Sequence, residues 1–477
     1  MPRHFFRSLI LLVGLNLLVK PVWIFAIDRQ VQNITGFSSY GHYFALLNLC
    51  IILNFLLDLG ITSFFNREVA SGNGHEGALF TQALSGKLIL SFIYAGMVFF
   101  IGVASGIDDY SLLLMLIIMQ VGSSFLLFLR SYLTATQHYR TDAVISVMDK
   151  LFVVIVVGSM IIYPMTVGHI TIQNFVLIQV AGIILSSAVA LMFLVKNIPG
   201  FSFQPFRGLK KEIFFSSLPI ALNIFFVTLM TRADGFLLES IINDDAREAG
   251  IYAAGFRLLD AFNMVGFLMA GFLLPFMARH WPNQNRFFAV LLTCRHLLVI
   301  GSMIVVAFAF AAPEYLSNLL YHNKDPYISN VIMIVLFALP GLSMIHIYGT
   351  ALTATRNMRI YLVLSIIFSL LSVILNLIFI PRYGAMASAV IACSIQTLYA
   401  LSVIYFARMK TGIRLSLAFI PLYLVVGLSF YVIVKVANFF HWNLMLSAGI
   451  GALIIAILFF YRSGFSIAQL RKLLAEK

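Results

Sequence analysis

Charge is what this chain has least of: 10% of its 477 residues are charged, against 61% apolar, and its mean hydropathy is +0.99. Soluble domains carry roughly 25% charged residues, so this chain cannot dress a water-facing surface, and a globular enzyme with a membrane tail is excluded. Cysteine is scarce too. Cys50, Cys294 and Cys393 all fall inside apolar runs and are odd in number, which indicates neither a disulfide framework nor a metal site and reads as small core residues. The alternation of a β-barrel strand is missing, because stretches such as 112–129 and 415–434 are almost continuously apolar. Signatures of catalysis are missing as well: there is no HExxH, phosphate loop or GxSxG in a fitting context. The expectation is an all-α integral membrane protein that is not an enzyme and holds no metal or other cofactor.

A membrane-spanning helix needs about 20 apolar residues. Apolar runs and their polar breaks place fourteen candidate spans near 5–27, 40–66, 79–104, 111–134, 142–165, 169–195, 213–241, 248–278, 287–311, 328–353, 358–380, 383–407, 414–436 and 442–461. The opening MPRHFF leads into an apolar run with Lys20 near its end and no small-residue cleavage site, so the first helix reads as uncleaved. The formal charge of +13 is explained by position rather than by a nucleic-acid partner. With loops assigned to alternate sides, twenty-one basic residues fall on one side and five on the other, while Asp108, Asp109, Asp244, Asp245, Glu248, Glu314 and Asp325 collect on the second. The positive-inside rule then puts both termini in the cytoplasm. An odd number of spans would have scrambled that segregation.

The chain also repeats itself. LTATQHYR (Leu133 to Arg140) follows the fourth span and LTATRNMR (Leu352 to Arg359) the tenth, 219 residues later. Gly41-His-Tyr43 opens the second span and Gly250-Ile-Tyr252 the eighth, 209 residues later. Both matches occupy the same topological place after a shift of six helices, which predicts parallel repeats with a site at their interface. The expected organisation is a six-helix lobe at 1–196, a cytoplasmic connection at 197–212, a second six-helix lobe at 213–408, and two further helices with a short tail at 409–477.

Charges inside spans are expensive and usually face a cavity or a partner. They are Lys20, Asp58, Lys87, Asp149, Lys150, Arg232, Asp234, Arg257 and Asp260, and six of them come from the first two helices of each half. Lys20, Arg232 and Arg257 are candidate binding groups for an anionic substrate, because a compact ammonium and a planar guanidinium both suit phosphate oxygens. Asp58, Asp234 and Asp260 are candidates for coupling to H+ or Na+. Plainer readings stay open beside these: Arg257 and Asp260, at i and i+3, could neutralise each other, Lys20 could snorkel, and Asp58 could cap a break before Gly60. Lys87, Asp149 and Lys150 read as a structural cluster. Trp23, Tyr43 and Tyr252 lie near the candidate cations and could stack on sugar faces.

The segment Ser217 to Arg279 has Pro219 opening a helix, then Arg232-Ala-Asp234, Gly250-Ile-Tyr252, Arg257 and Leu274-Pro275. It resembles the seventh and eighth helices of the Wzx-like polysaccharide flippases of the MOP superfamily. Ala354 to Val390 is similar to that family's eleventh helix and the start of its twelfth, and Leu56 to Glu68 to the end of its second. The resemblance implies a V-shaped transporter of fourteen helices, two six-helix lobes plus two. Its implied cargo is a polyprenyl-pyrophosphate-linked oligosaccharide, such as an O-antigen or exopolysaccharide repeat unit, moved across a bacterial inner membrane by alternating access. Its implied partners are that lipid-linked glycan, the bilayer and a polysaccharide polymerase machinery, and the family's cationic cavity would correspond to Lys20, Arg232 and Arg257. The alternatives are a lipid II flippase, a cation-coupled drug antiporter using Asp58 and Asp260, and a membrane-embedded glycan polymerase or ligase.

Overall fold

The computed structural model describes residues 3–71, 76–197, 211–242, 246–281, 284–412 and 419–462. Most of the connection expected at 197–212, together with Asp244, Asp245 and the tail beyond 462, lies outside them. Among the described residues the regular structure is helical throughout, as an apolar chain without edge pairing requires in a bilayer.

The helices are α1 (Arg3–Val22), α2 (Arg29–Ile52), α3 (Ile61–Ala70), α4 (Glu76–Ala104), α5 (Tyr110–Ala135), α6 (Tyr139–Ile162), the single turn α7 (Pro164–Val167) and α8 (Ile172–Asn197). There follow α9 (Lys211–Ile241), α10 (Arg247–His280), α11 (Gln284–Ala311), α12 (Pro313–Tyr321), α13 (Pro326–Leu336), α14 (Leu339–Ala354), α15 (Met358–Thr411), α16 (Phe419–Phe439) and α17 (Leu444–Arg462). Eleven helical runs among the described residues are long and apolar enough to cross a membrane, and two of these are double. At 1.5 Å per residue the 54 residues of α15 would reach about 81 Å, far beyond a hydrocarbon core of about 30 Å. Gly384, at φ 53° and ψ −138°, folds it back, and Tyr361 stacks on Tyr399 across the hairpin with ring centroids 6.1 Å apart. The run from Gly14 to Leu57 is folded the same way at Gly36, whose φ of 81° and ψ of 167° suit glycine best. Eleven runs, two of them counted twice, together with the shorter apolar α17 give the fourteen spans expected from the sequence.

The second span and one connection differ in detail from their expected form. The span is interrupted: after a 3₁₀ turn (Leu53–Leu57), Leu59 at φ 39° and Gly60 at φ 88° break the helix before α3 restarts. Residues 312–327, which connect the spans expected at 287–311 and 328–353, contain α12, a nine-residue helix with Pro313 in its first turn.

The duplicated loops fold alike. In the first, His138 N–H donates to Leu133 O at 2.8 Å and Gln137 N–H to Thr134 O at 3.2 Å. In the second, Asn357 N–H donates to Leu352 O at 2.9 Å and Arg356 N–H to Thr353 O at 3.1 Å. Gln137 and Arg356 both take the left-handed conformation, with φ of 62° and 60°. Each loop thus closes its helix with one and the same cap, in which the last carbonyls are satisfied by the two residues that follow. A side chain outside glycine pays for the left-handed conformation, so Arg356→Gly is expected to raise the thermal midpoint of the purified protein by the equivalent of roughly 0.5–1 kcal/mol. A lowered midpoint would assign the Arg356 side chain a contact worth more than that strain.

Packing divides the chain into two compact units, one of residues 1–253 with 373–384 and the other of 254–372 with 385–477. In the first, α5 lies against α8, α1 against α6, and α2 against α9. An aromatic cluster fills it near the basic end, with Phe65 and Phe80 on Phe128 at 5.0 and 5.4 Å. In the second, α11 packs against α14 and α16, with Ile300, Tyr423, Phe430 and Val434 in its core. Lipid tails are as apolar as these side chains, so close packing and interhelical hydrogen bonds, more than exclusion of water, hold such helices together.

Candidate functional site

The first unit gathers charge around the end of α1. Pro21 interrupts the helical ladder there and a π-helical turn, Trp23–Asp28, follows. Lys20 is half-buried and lies within electrostatic range of Arg130, Asp149 and Lys150. The Lys150 ammonium stands 4.6 Å from the centre of the Trp23 ring and 3.5 Å from Asp149. Arg130 binds Asp142 through two hydrogen bonds, of 2.7 and 3.3 Å. The group therefore sets three cations, Lys20, Arg130 and Lys150, against two carboxylates. Trp23, expected to meet a sugar, has a cation on its ring in this conformation.

Lys87 does not join Asp149 and Lys150 in one cluster, contrary to the expectation. It is 1% exposed and lies at the break in the second span, where its ammonium donates to Leu57 O at 3.1 Å and Ser124 Oγ at 2.6 Å and pairs with Asp58 at 3.0 Å. Asp58 in turn accepts from the Thr62 backbone N–H at 3.2 Å and from the Thr62 hydroxyl. The carboxylate thus caps the restarted helix and neutralises the buried ammonium.

Asp234 on α9 is fully buried. It accepts from the Tyr252 hydroxyl at 2.7 Å and from the Asn376 amide at 2.9 Å, so three helices meet at one carboxylate. Arg232, two residues earlier, points elsewhere and is half-buried. Tyr43 packs edge-on against Tyr40 and Phe175, at 5.4 and 5.9 Å, and Tyr252 tilts against Phe44. Both rings are 1% exposed, so neither has a face open to a sugar here. Arg257 and Asp260 fall in the second unit on α10, Arg257 with 9% exposure.

The glycines of the repeated Gly-x-Tyr motif meet one another. A Cβ on Gly41 would overlap the Ala246 carbonyl oxygen and stand 2.6 Å from the Gly250 nitrogen, and one on Gly250 would overlap the Phe37 carbonyl oxygen. Each glycine rests on the carbonyl four residues before the other, the reciprocal pattern of a two-fold contact. The Gln32 amide donates to Gly250 O at 2.9 Å across the same crossing.

Several buried polar groups escape a reading by span. Asp28 is fully buried and accepts from the Tyr40 hydroxyl at 2.8 Å, a second carboxylate–phenol pair beside Asp234–Tyr252. It lies one residue beyond the end drawn for the first span, which the π-helical turn extends. Arg295 is 3% exposed within the second unit and donates to Tyr348 OH at 3.3 Å, while the neighbouring His296 Nδ1 meets Tyr423 OH at 2.6 Å and so ties α16 to α11. Its position inside an apolar run was the available signal. His42 pairs with Glu239 across α2 and α9.

This arrangement of helices is that of known transporters. A structure titled lipid II flippase MurJ in an inward closed conformation is similar over 95% of this chain and 99% of its own, with TM-score 0.69 and 12% identity. An inward-facing multidrug resistance MATE family transporter of the MOP superfamily is similar over 85% and 94%, with TM-score 0.59 and 13% identity. A MOP superfamily transporter from Pyrococcus furiosus, described as having a binding pocket of reversed polarity, gives 85% and 94%, with TM-score 0.58 and 14% identity. The fold is thus that of a multi-pass transporter of the MOP type. Among curated protein sequences none matches the chain. The family model for polysaccharide biosynthesis proteins matches residues 8–281, more than half of the chain, including the segments Leu56 to Glu68 and Ser217 to Arg279. The chain belongs to that family.

Proposed function

We propose that this protein is a flippase that carries a polyprenyl-pyrophosphate-linked oligosaccharide repeat unit from the cytoplasmic to the outer leaflet of a bacterial inner membrane, by alternating access between two six-helix lobes at 1–196 and 213–408. Both termini then lie in the cytoplasm, and the repeat unit belongs to an O-antigen, lipopolysaccharide or exopolysaccharide. The observation that carries the reading is the cation-rich cluster of Lys20, Arg130 and Lys150 within apolar helices of a chain from a polysaccharide biosynthesis family. A pyrophosphate needs such donors to leave water, and a drug cation would be repelled by them. Arg232 and Arg257 are further candidate donors to an anionic cargo, and Asp58, Asp234 and Asp260 are the groups through which H+ or Na+ would couple. Polymerase machinery would take up the delivered unit.

Lys20→Ala and Arg257→Ala are each expected to leave the protein inserted at its normal level while lowering surface glycan at least tenfold, read by blotting intact cells. Full surface glycan in both variants would remove these cations from the mechanism. A lipid II flippase is the second reading, supported by a fold match that extends over nearly the whole of both chains. Deletion separates the two, since the lipid-linked intermediate that accumulates is a glycan repeat unit under the first reading and a peptidoglycan precursor under the second.

A further inference from the structure

At the acid-rich end of the first unit, away from the cation cluster, the N-terminal turns of α5 and α8 and the part of α2 around Gly36 line an open cavity of about 420 Å³. Ligand pockets commonly measure roughly 300–1,000 Å³. Its polar lining is Thr35, Ser39, His42, Asp109, Thr171 and Gln173. Each bond these groups already make leaves capacity over. Thr35 Oγ1 donates to Val31 O at 2.9 Å and keeps its lone pairs. Thr171 Oγ1 accepts from Asn174 N–H at 3.2 Å and keeps its hydroxyl proton. Asp109 Oδ1 accepts from Leu112 N–H at 3.0 Å, which leaves the second oxygen to accept. Ser39 and Gln173 are exposed, and each can both donate and accept.

The chemistry of this lining selects among ligands. No lysine or arginine lines the cavity, and the His42 ring is already paired with Glu239, so a phosphate finds no uncompensated counter-charge there. Among the described residues no three His, Cys, Asp or Glu side chains converge as a metal set, and Asp109 is the one carboxylate in the lining. What remains is a mixture of donors and acceptors over an aliphatic wall formed by Leu112, Ile170 and Ile172. Pyranose rings have that complement: hydroxyls around an equator that both donate and accept, and C–H faces that lie on aliphatic surface.

We propose that this cavity is a saccharide subsite, which holds a neutral sugar of the glycan on the side of the membrane opposite the basic loops. The role as a release-side station rests on the flippase reading, whereas the binding chemistry does not. The test uses the purified full chain in a detergent without a sugar headgroup. Saturation-transfer NMR is recorded with N-acetylglucosamine, galactose, rhamnose and, as an anionic control, glucuronate, each at millimolar concentration. At least one neutral sugar should receive saturation, and the transfer should fall fivefold or more in Thr171→Trp, which fills the cavity, and in Ser39→Ala/Gln173→Ala, which alters exposed side chains and leaves the packing untouched. Equal transfer in wild type and both variants, transfer from glucuronate alone, or none from any sugar overturns the proposal. Failure of the flippase reading looks different: neutral sugars would still bind in this way while Lys20→Ala and Arg257→Ala strains exported glycan normally.

Discussion

Gly41→Ala and Gly250→Ala should each lower the thermal midpoint of the purified protein by the equivalent of about 3 kcal/mol or more, and the double variant should lose little beyond the worse single one. Overpacking a core typically costs 1–3 kcal/mol, where a flexible side chain can give way. Here a new methyl group meets backbone, the Ala246 carbonyl in one case and the Phe37 carbonyl in the other, so the helices themselves must separate. Separation also stretches the 2.9 Å bond from Gln32 to Gly250 O. Both substitutions force the same displacement, and the second therefore meets space that the first has opened, which makes their effects strongly non-additive. Midpoints followed by fluorescence-detected size exclusion provide the test. Additive losses, or an alanine tolerated at either position, would show that the crossing is looser than the geometry implies.

The second large effect concerns the break in the second span. Asp58→Ala is expected to destabilise the protein by about 3 kcal/mol, at the low end of the range for breaking a buried ion pair because Asp58 itself is 38% exposed. The loss arises from what stays behind: an ammonium at 1% exposure that keeps Leu57 O and Ser124 Oγ but has no counter-charge, and a restarted helix without its cap. Lys87→Met in the Asp58→Asn background removes both charges while keeping side-chain volume, and it should recover about half of the loss. If Asp58→Ala shifted the midpoint by less than about 0.5 kcal/mol equivalent, the pair would have no structural role, and a part for Asp58 in ion coupling would gain weight.

These two sites mark what a sequence can and cannot tell about such a chain. Spans are legible because hydrocarbon imposes length and composition on every helix that crosses it: the double helices turn at Gly36, inside the polar break at 28–39, and at Gly384, two residues past the break at 381–382. The repeated LTAT loops were legible because a local cap is written in contiguous residues. Partners were not. Position along a helix gives depth, but which neighbour a side chain meets depends on packing between helices far apart in sequence: Lys87 meets Asp58 and not Asp149, and Asp234 is met by Asn376, 142 residues away. Asp28 was missed for a different reason, since a π-helical turn carries the first helix past the point where its apolar run ends. Gly41 and Gly250 stood out as a repeat, yet only three dimensions show that the two copies touch.

The Lys150 ammonium over the Trp23 ring gives the protein an optical probe of its own cation cluster. The chain has three tryptophans, and with Trp281 and Trp442 exchanged for phenylalanine the remaining indole would emit from beside Lys20 and Lys150 alone. An anion that drew Lys150 off the ring would change the colour and yield of that emission, so cargo arrival could be timed in a stopped-flow cell without attaching a dye.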